Sequence, residues 1–289
     1  MKHVLLILLL GFVYTSATGG TASGTSAAYD YTESNWPETC KIGKKQTPID
    51  LDITTAQLIK NNSIISIISS NYSTIKTGAL TNYGDHKFGL DLPGTDTLWV
   101  LKGGIPYQYF LLGFHFHFAS EHTVQSKSTD LELHLVHGKN KAYIQAMNIT
   151  DPDTNDYLVV GIQFKSSPTA SNNTYLQLMN FDHSHNITGL NFSPLVLPTR
   201  NFYHYSGSLT TPDCVEKVNW VVMDQVESMT VDQFASVRAW ISTAYPKGNA
   251  RTTKPLYGRT VYYIQNSHGE LLKNSLLTVL VLILLFIIA

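Results

Sequence analysis

The sequence predicts a mainly β (α+β) single domain built around one large central sheet with short peripheral helices. Three observations carry this. Short runs rich in β-branched and aromatic residues recur through the middle of the chain, turn signals separate them, and helical periodicity is scarce. With the two ends set aside, the remaining length suits one large core, and neither an internal repeat nor a linker divides it.

In chain order, the strand candidates are Ile64–Ile68, Phe88–Leu92, Leu98–Leu101, Leu111–Phe118, Leu131–His137, Ala142–Asn148, Tyr157–Phe164 and Val218–Asp224. Leu92-Pro93-Gly94 closes the second run, and Lys102-Gly103-Gly104 closes the third. Two segments carry a helical pattern, Thr174–Phe181 and Thr230–Thr243. The second opens with Thr230 as N-cap and Gln233 three residues on, the spacing of a capping box.

The ends read differently. Residues 1–17 are expected to be a secretory signal peptide: Lys2 and His3 precede the apolar run Val4–Tyr14, and small residues around Ala17 suit cleavage. Residues 18–28, rich in Gly, Ser, Thr and Ala, read as a flexible leader, and residues 29–263 as the folded domain. Residues 264–289 read as an anchor signal. Leu276–Ala289 is apolar to the last residue, shorter than the roughly 20 residues of a spanning helix, with no basic flank after it. Small residues at Ser267 and Gly269 predict a GPI anchor attached near Asn266–Gly269, although the polar spacer is shorter than the usual ~8–12 residues. A retained hydrophobic tail anchor is the alternative. Both place the domain at the extracellular face of the plasma membrane, with the lipid bilayer as partner.

Composition narrows the function. The formal charge of −1 and the lack of a basic face or polybasic segment argue against nucleic-acid binding. Two cysteines, Cys40 and Cys214, behind a secretory leader read as one disulfide, with two free thiols as the other possibility. Acceptor sequons for N-glycosylation begin at Asn61, Asn71, Asn148, Asn172, Asn186 and Asn191. Pro194 follows the last of them and weakens it.

The chemistry concentrates in residues 114–137. His115 and His117, two apart on a strand, point to one face. His134 lies far enough along to return on an antiparallel neighbour. Three imidazoles converging from two strands leave a fourth tetrahedral position open, as a catalytic zinc site requires.

The surrounding motifs resemble those of the α-class carbonic anhydrases across residues 29–263. They are QTPIDL at Gln46–Leu51, FHFHF at Phe114–Phe118, SEHTV at Ser120–Val124 and ELHLVH at Glu132–His137. YSGSLTTP at Tyr205–Pro212, NWVV at Asn219–Val222, NAR at Asn249–Arg251 and PLYGR at Pro255–Arg259 follow in order. The resemblance implies a ten-stranded, mostly antiparallel sheet and a zinc lyase that interconverts carbon dioxide and bicarbonate by attack of a zinc hydroxide. Carbonic anhydrase is itself the standard example of such a centre, and the water pKa of about 7 is that family's value. A catalytically silent relative used for binding or adhesion is the alternative the family allows. Such relatives usually lose a zinc histidine, and this chain has all three.

Carried over residue by residue, the resemblance implies His115, His117 and His134 as zinc ligands, with Glu132 holding the outer nitrogen of His134. Thr210 and Glu121 are implied to orient the attacking oxygen. Val136, Val159, Leu209, Thr211 and Trp220 are implied to line the substrate pocket, and Tyr31 the proton path. In Asn82-Tyr83-Gly84-Asp85-His86, His86 is the proton shuttle if Asp85 is an insertion; otherwise Asp85 takes the place. His122 reads as a core residue, and His183 and His185 as solvated loop residues. Cys40 and Cys214 fall where secreted members form their disulfide, so the bridge is expected to pin the loop of Thr210. Two departures stand out: Gly113 replaces the family's usual glutamine, leaving His115 to find another partner, and Phe118 replaces a tryptophan.

Overall fold

The computed structural model describes residues 30–60, 63–82, 88–181 and 185–266. The segments expected to be signal peptide, leader and, beyond Asn266, anchor, together with Asn61, residues 83–86 and His183, lie outside the described residues.

The main sheet has twelve strands rather than ten. Its continuous path runs Gln57–Ile59, Tyr262–Ile264, Phe202–Gly207, Val218–Met223, Tyr157–Ser166, Leu131–Lys139, Ile105–His117, Phe88–Asp91 and Thr81–Asn82. Thr97–Lys102 also pairs with Ile105–His117 and carries Ile65–Asn71, and Glu227–Met229 pairs with Tyr157–Ser166. The sheet is mixed. Tyr157–Ser166 lies parallel to both Val218–Met223 and Glu227–Met229, and Tyr262–Ile264 lies parallel to Gln57–Ile59. The remaining ladders are antiparallel.

Central strands buried on both faces read as continuous apolar runs, which is why Val218–Met223 and Tyr157–Phe164 were visible without alternation. One face of the sheet buries Phe114, Phe116, Leu133, Leu135, Val160, Ile162 and Val221 in the principal core. The opposite face carries the polar residues described below. Between the two ligand strands the register shifts after Val136: Val136 pairs with Gly113, and His137 with Leu111. Leu112 is thus left without a partner in this ladder, as in a β-bulge, and is exposed.

One strand expectation is overturned. Ala142–Asn148 is not extended; Lys141–Ala146 forms a short helix. The Asn140 side chain accepts from the Tyr143 amide at 3.1 Å, which satisfies a first-turn donor and starts the helix. Asn148 then takes a left-handed backbone conformation and ends it. The helix expected over Thr174–Phe181 is shorter, Thr174–Leu178, capped by Asn173. The helix Val231–Ser242 has the predicted capping box, with Thr230 and Gln233 bonded reciprocally. No described helix is long and apolar enough to cross a membrane.

Candidate metal centre

Antiparallel register sets His134 directly opposite His115, and Glu132 opposite His117. The three rings converge, with centroids 5.0 Å apart for His115–His117, 5.2 Å for His115–His134 and 4.6 Å for His117–His134. One nitrogen from each lies within 4.8 Å of the others, and His117 and His134 are buried while His115 is half-exposed.

The outer nitrogens say which atoms are free to bind. His117 Nδ1 donates to the Asn249 carbonyl at 2.8 Å, and its Nε2 is buried without a hydrogen-bond partner among the described residues. His134 Nε2 donates to Glu132 Oε1 at 2.9 Å, which leaves Nδ1 facing the cluster. Burial holds His117 neutral, its pKa lowered to about 4 against the pull of the Asn249 bond. Burial lowers His134 as well, against the opposing Glu132 carboxylate. His117 and His134 thus offer neutral imidazoles, His115 converges on them, and three such rings are what a zinc ion needs, so the donor set fits it.

Glu132 has a second duty. It also accepts from the His122 amide at 2.8 Å and from His122 Nδ1 at 2.6 Å, and His122 Nε2 meets the Tyr205 hydroxyl at 2.6 Å. Tyr205 donates to Thr47, whose hydroxyl also accepts from the Ser208 amide. Burial alone raises the Glu132 carboxyl, but His122 and His134 hold it well below the usual range. Gly161, opposite His134, makes room for this carboxylate, since a methyl there would stand 2.9 Å from Glu132 Oε1. His122, Glu132 and His134 also cluster closely enough to suggest a metal group. Both His122 nitrogens are spent on hydrogen bonds, so its structural reading stands.

Glu121 is buried beside the ligands, its Oε1 3.4 Å from His117 Nδ1. Burial raises its pKa to about 7, while His134, the Arg251 amide and the Thr210 hydroxyl pull it down. Oε1 accepts from that amide at 2.9 Å; Oε2 has no hydrogen-bond partner among the described residues. Thr210 thus stands next to Glu121 without a well-formed hydrogen bond to Oε2.

An apolar row flanks the cluster. Val136 pairs with Val159, and Val159 with Trp220, across three adjacent strands, and Leu209 packs on the same patch. The Trp220 ring lies 4.8 Å from that of His134 and donates from Nε1 to the Ser208 carbonyl. The Thr210 loop is closed by Leu209 N to Val215 O, by Cys214 N to Thr211 O, and by the Cys40–Cys214 disulfide, whose Cα atoms are 5.2 Å apart.

Residues 31–265 match the family model described as eukaryotic-type carbonic anhydrase. The chain belongs to that family. Carbonic anhydrase 1 of Mus musculus is 30% identical over 239 residues, covering 76% of this chain and 89% of that protein. A Chlamydomonas reinhardtii carbonic anhydrase solved with acetazolamide superposes with TM-score 0.62 at 25% identity, covering 82% of this chain and 99% of the other. An α-carbonic anhydrase from Thermovibrio ammonificans, solved with sulfanilamide, gives 0.56 at 26% identity, with 78% and 89% covered. Carbonic anhydrases are zinc lyases, and His115, His117 and His134 are the residues here able to hold the ion.

Against this carbonic anhydrase frame, the ligand trio, Glu132, Glu121, Thr210 and the apolar row come together in one place. The Tyr31 hydroxyl is buried without a hydrogen-bond partner among the described residues, and burial and the Glu121 charge push its pKa well up. Phe118 packs its ring near Phe234 and under Arg238. His185 stacks on Trp240, and His204 donates from Nδ1 to the Trp220 carbonyl, away from the cluster. Asn71, Asn148, Asn172 and Asn186 are exposed. Asn191 is half-buried, and its Nδ2, the atom a glycan would take, donates to the Tyr72 carbonyl. Sequence reasoning assigned no role to Asn249 or Arg251. Their place in the NAR motif was the available signal: one orients His117, the other Glu121.

Proposed function

We propose that the chain catalyses the reversible hydration of carbon dioxide to bicarbonate at zinc held by His115, His117 and His134. The buried, unpartnered His117 Nε2 carries this reading, because burying a polar atom unsatisfied is costly unless something binds there. Bound zinc supplies Lewis acidity that lets a water lose a proton near neutral pH. The chain's residues do the rest. Once ionised, Glu121 can only accept; its Oε2, without a partner among the described residues, is then placed to accept a hydrogen bond from the Thr210 hydroxyl, which leaves Thr210 Oγ1 as the acceptor that aims the attacking oxygen. Val136, Val159, Leu209 and Trp220 offer the apolar wall against which carbon dioxide rests. As the new carbon–oxygen bond forms, one C=O electron pair moves onto oxygen, giving bicarbonate. The released proton departs past Tyr31, with His86 or Asp85 as relay.

The domain is proposed to work at the outer cell surface, GPI-anchored near Asn266–Gly269. The apolar N-terminal run, the Cys40–Cys214 disulfide and the exposed sequons support secretion. Phospholipase release from intact cells is expected, and full resistance favours a retained tail. Rapid-mixing hydration of the purified protein tests the activity: chelation should abolish it and zinc restore it. Thr210→Ala should lower it about a hundredfold with zinc retained. A zinc-loaded protein no faster than His115→Ala overturns the proposal and favours a silent binding domain.

A further inference from the structure

We infer that Asp91 is a positioning residue for His115, an inference that rests on the zinc site proposed above. Phe88–Asp91 runs antiparallel beside the ligand strand, with Gly89 opposite His115 and Asp91 opposite Gly113. The two backbones are pressed together at this point. A methyl on Gly89 would lie 1.8 Å from the Phe114 carbonyl oxygen and 2.7 Å from His115 Cα. One on Gly113 would lie 2.7 Å from the Leu90 carbonyl oxygen. Neither position admits a side chain while the strands keep this approach, so Gly113 cannot supply a partner for His115 from its own strand.

Alternation places Gly113 with His115 on one face, and pairing places Asp91 on that face too. Asp91 Oδ1 stands 3.1 Å from where a Gly113 Cβ would be. The carboxylate therefore fills the space in which a side chain at 113 would begin. It is the diagonal cross-strand neighbour of His115, a relation that long side chains bridge over roughly 7–8 Å. His117 and His134 each give an outer N–H to an oxygen. Asp91 does the same for His115: the ring N–H donates to Oδ, which fixes the tautomer and raises the basicity of the ligating nitrogen. An anion from the neighbouring strand thus takes the task that a neutral amide at 113 performs elsewhere in the family. Asp91 is exposed, so its substitution should leave the fold intact.

The test uses the full mature protein, its Asp91→Ala and Asp91→Glu variants, and Asp232→Ala as an exposed carboxylate on the helix Val231–Ser242. Zinc content of the wild type is measured first, then zinc release to a chelator and the visible spectrum after cobalt substitution. Asp91→Ala is expected to release zinc about ten- to a hundredfold faster with an altered cobalt spectrum. Asp91→Glu should recover most of both, Asp232→Ala should match the wild type in zinc release and spectrum, and metal-free melting of the Asp91 variants should not change. No zinc in the wild type overturns the metal centre itself. Zinc-loaded wild type with equal release from Asp91→Ala overturns the role of Asp91 alone. Faster release with an unchanged spectrum and no rescue by glutamate also overturns it.

Discussion

His134 and His137 sit three residues apart on one strand, both buried, yet only one faces the metal centre. The contrast shows what makes a ligand. His137 spends both nitrogens inside the core, Nδ1 on the Leu158 carbonyl at 3.1 Å and Nε2 on the Tyr72 hydroxyl at 2.8 Å. His117, equally buried, spends one and keeps the other unpaired toward its neighbours. Burial lowers the pKa of both rings to about 4, so a neutral imidazole by itself does not distinguish the two groups. Convergence and an unspent lone pair do.

The sharpest way to break this contrast is His117→Ala, which should remove zinc at ordinary concentrations and hydration with it; elemental analysis showing one zinc per chain would sink the ligand assignment. Glu132→Ala comes next. It frees the outer nitrogens of His134 and His122 together and should weaken zinc about ten- to a hundredfold, read by chelator competition. Unchanged affinity would make Glu132 a packing residue. His137→Ala should do the converse, with zinc stoichiometry kept but urea unfolding showing about 2–4 kcal/mol of lost stability.

The smallest effect concerns acid. Burial, aided by the Lys102 charge for His204, lowers the pKa of His137 and His204 to about 4, below their ordinary 6.5. Between these values the unfolded chain binds more protons, so stability is whole above about pH 6.5 and falls toward about pH 4. The raised Glu121 carboxyl acts with the opposite sign in this window, so urea midpoints of metal-free Glu121→Gln at pH 7.5 and 5 should reveal the slope; equal midpoints would mean these rings charge freely in place.

Much of this was legible in the chain. Period-two alternation put His115 with His117, and Glu132 with His134, because side-chain direction on a strand is a local property. By the same rule His134 and His137, three apart, fall on opposite faces. What stayed hidden depends on distant pairing. The Glu132–His122–Tyr205–Thr47 relay joins four separate stretches, and nothing in any one of them announces the others. The Lys141–Ala146 helix was missed because a short apolar run fits either state until its cap is weighed. Gly113 read as a loss; only the register with Asp91 showed what stands beside it.

The stretch Gly248–Arg251 has a bearing on biosynthesis. Gly248 takes a left-handed conformation against the Phe118 carbonyl, Asn249 pins residues 116–118, and Arg251 secures Glu121. These contacts come from near the end of the domain, long after both ligand strands have left the ribosome. A polypeptide ending before this stretch would own every coordinating ring yet lack the contacts that hold His117 and Glu121 in place.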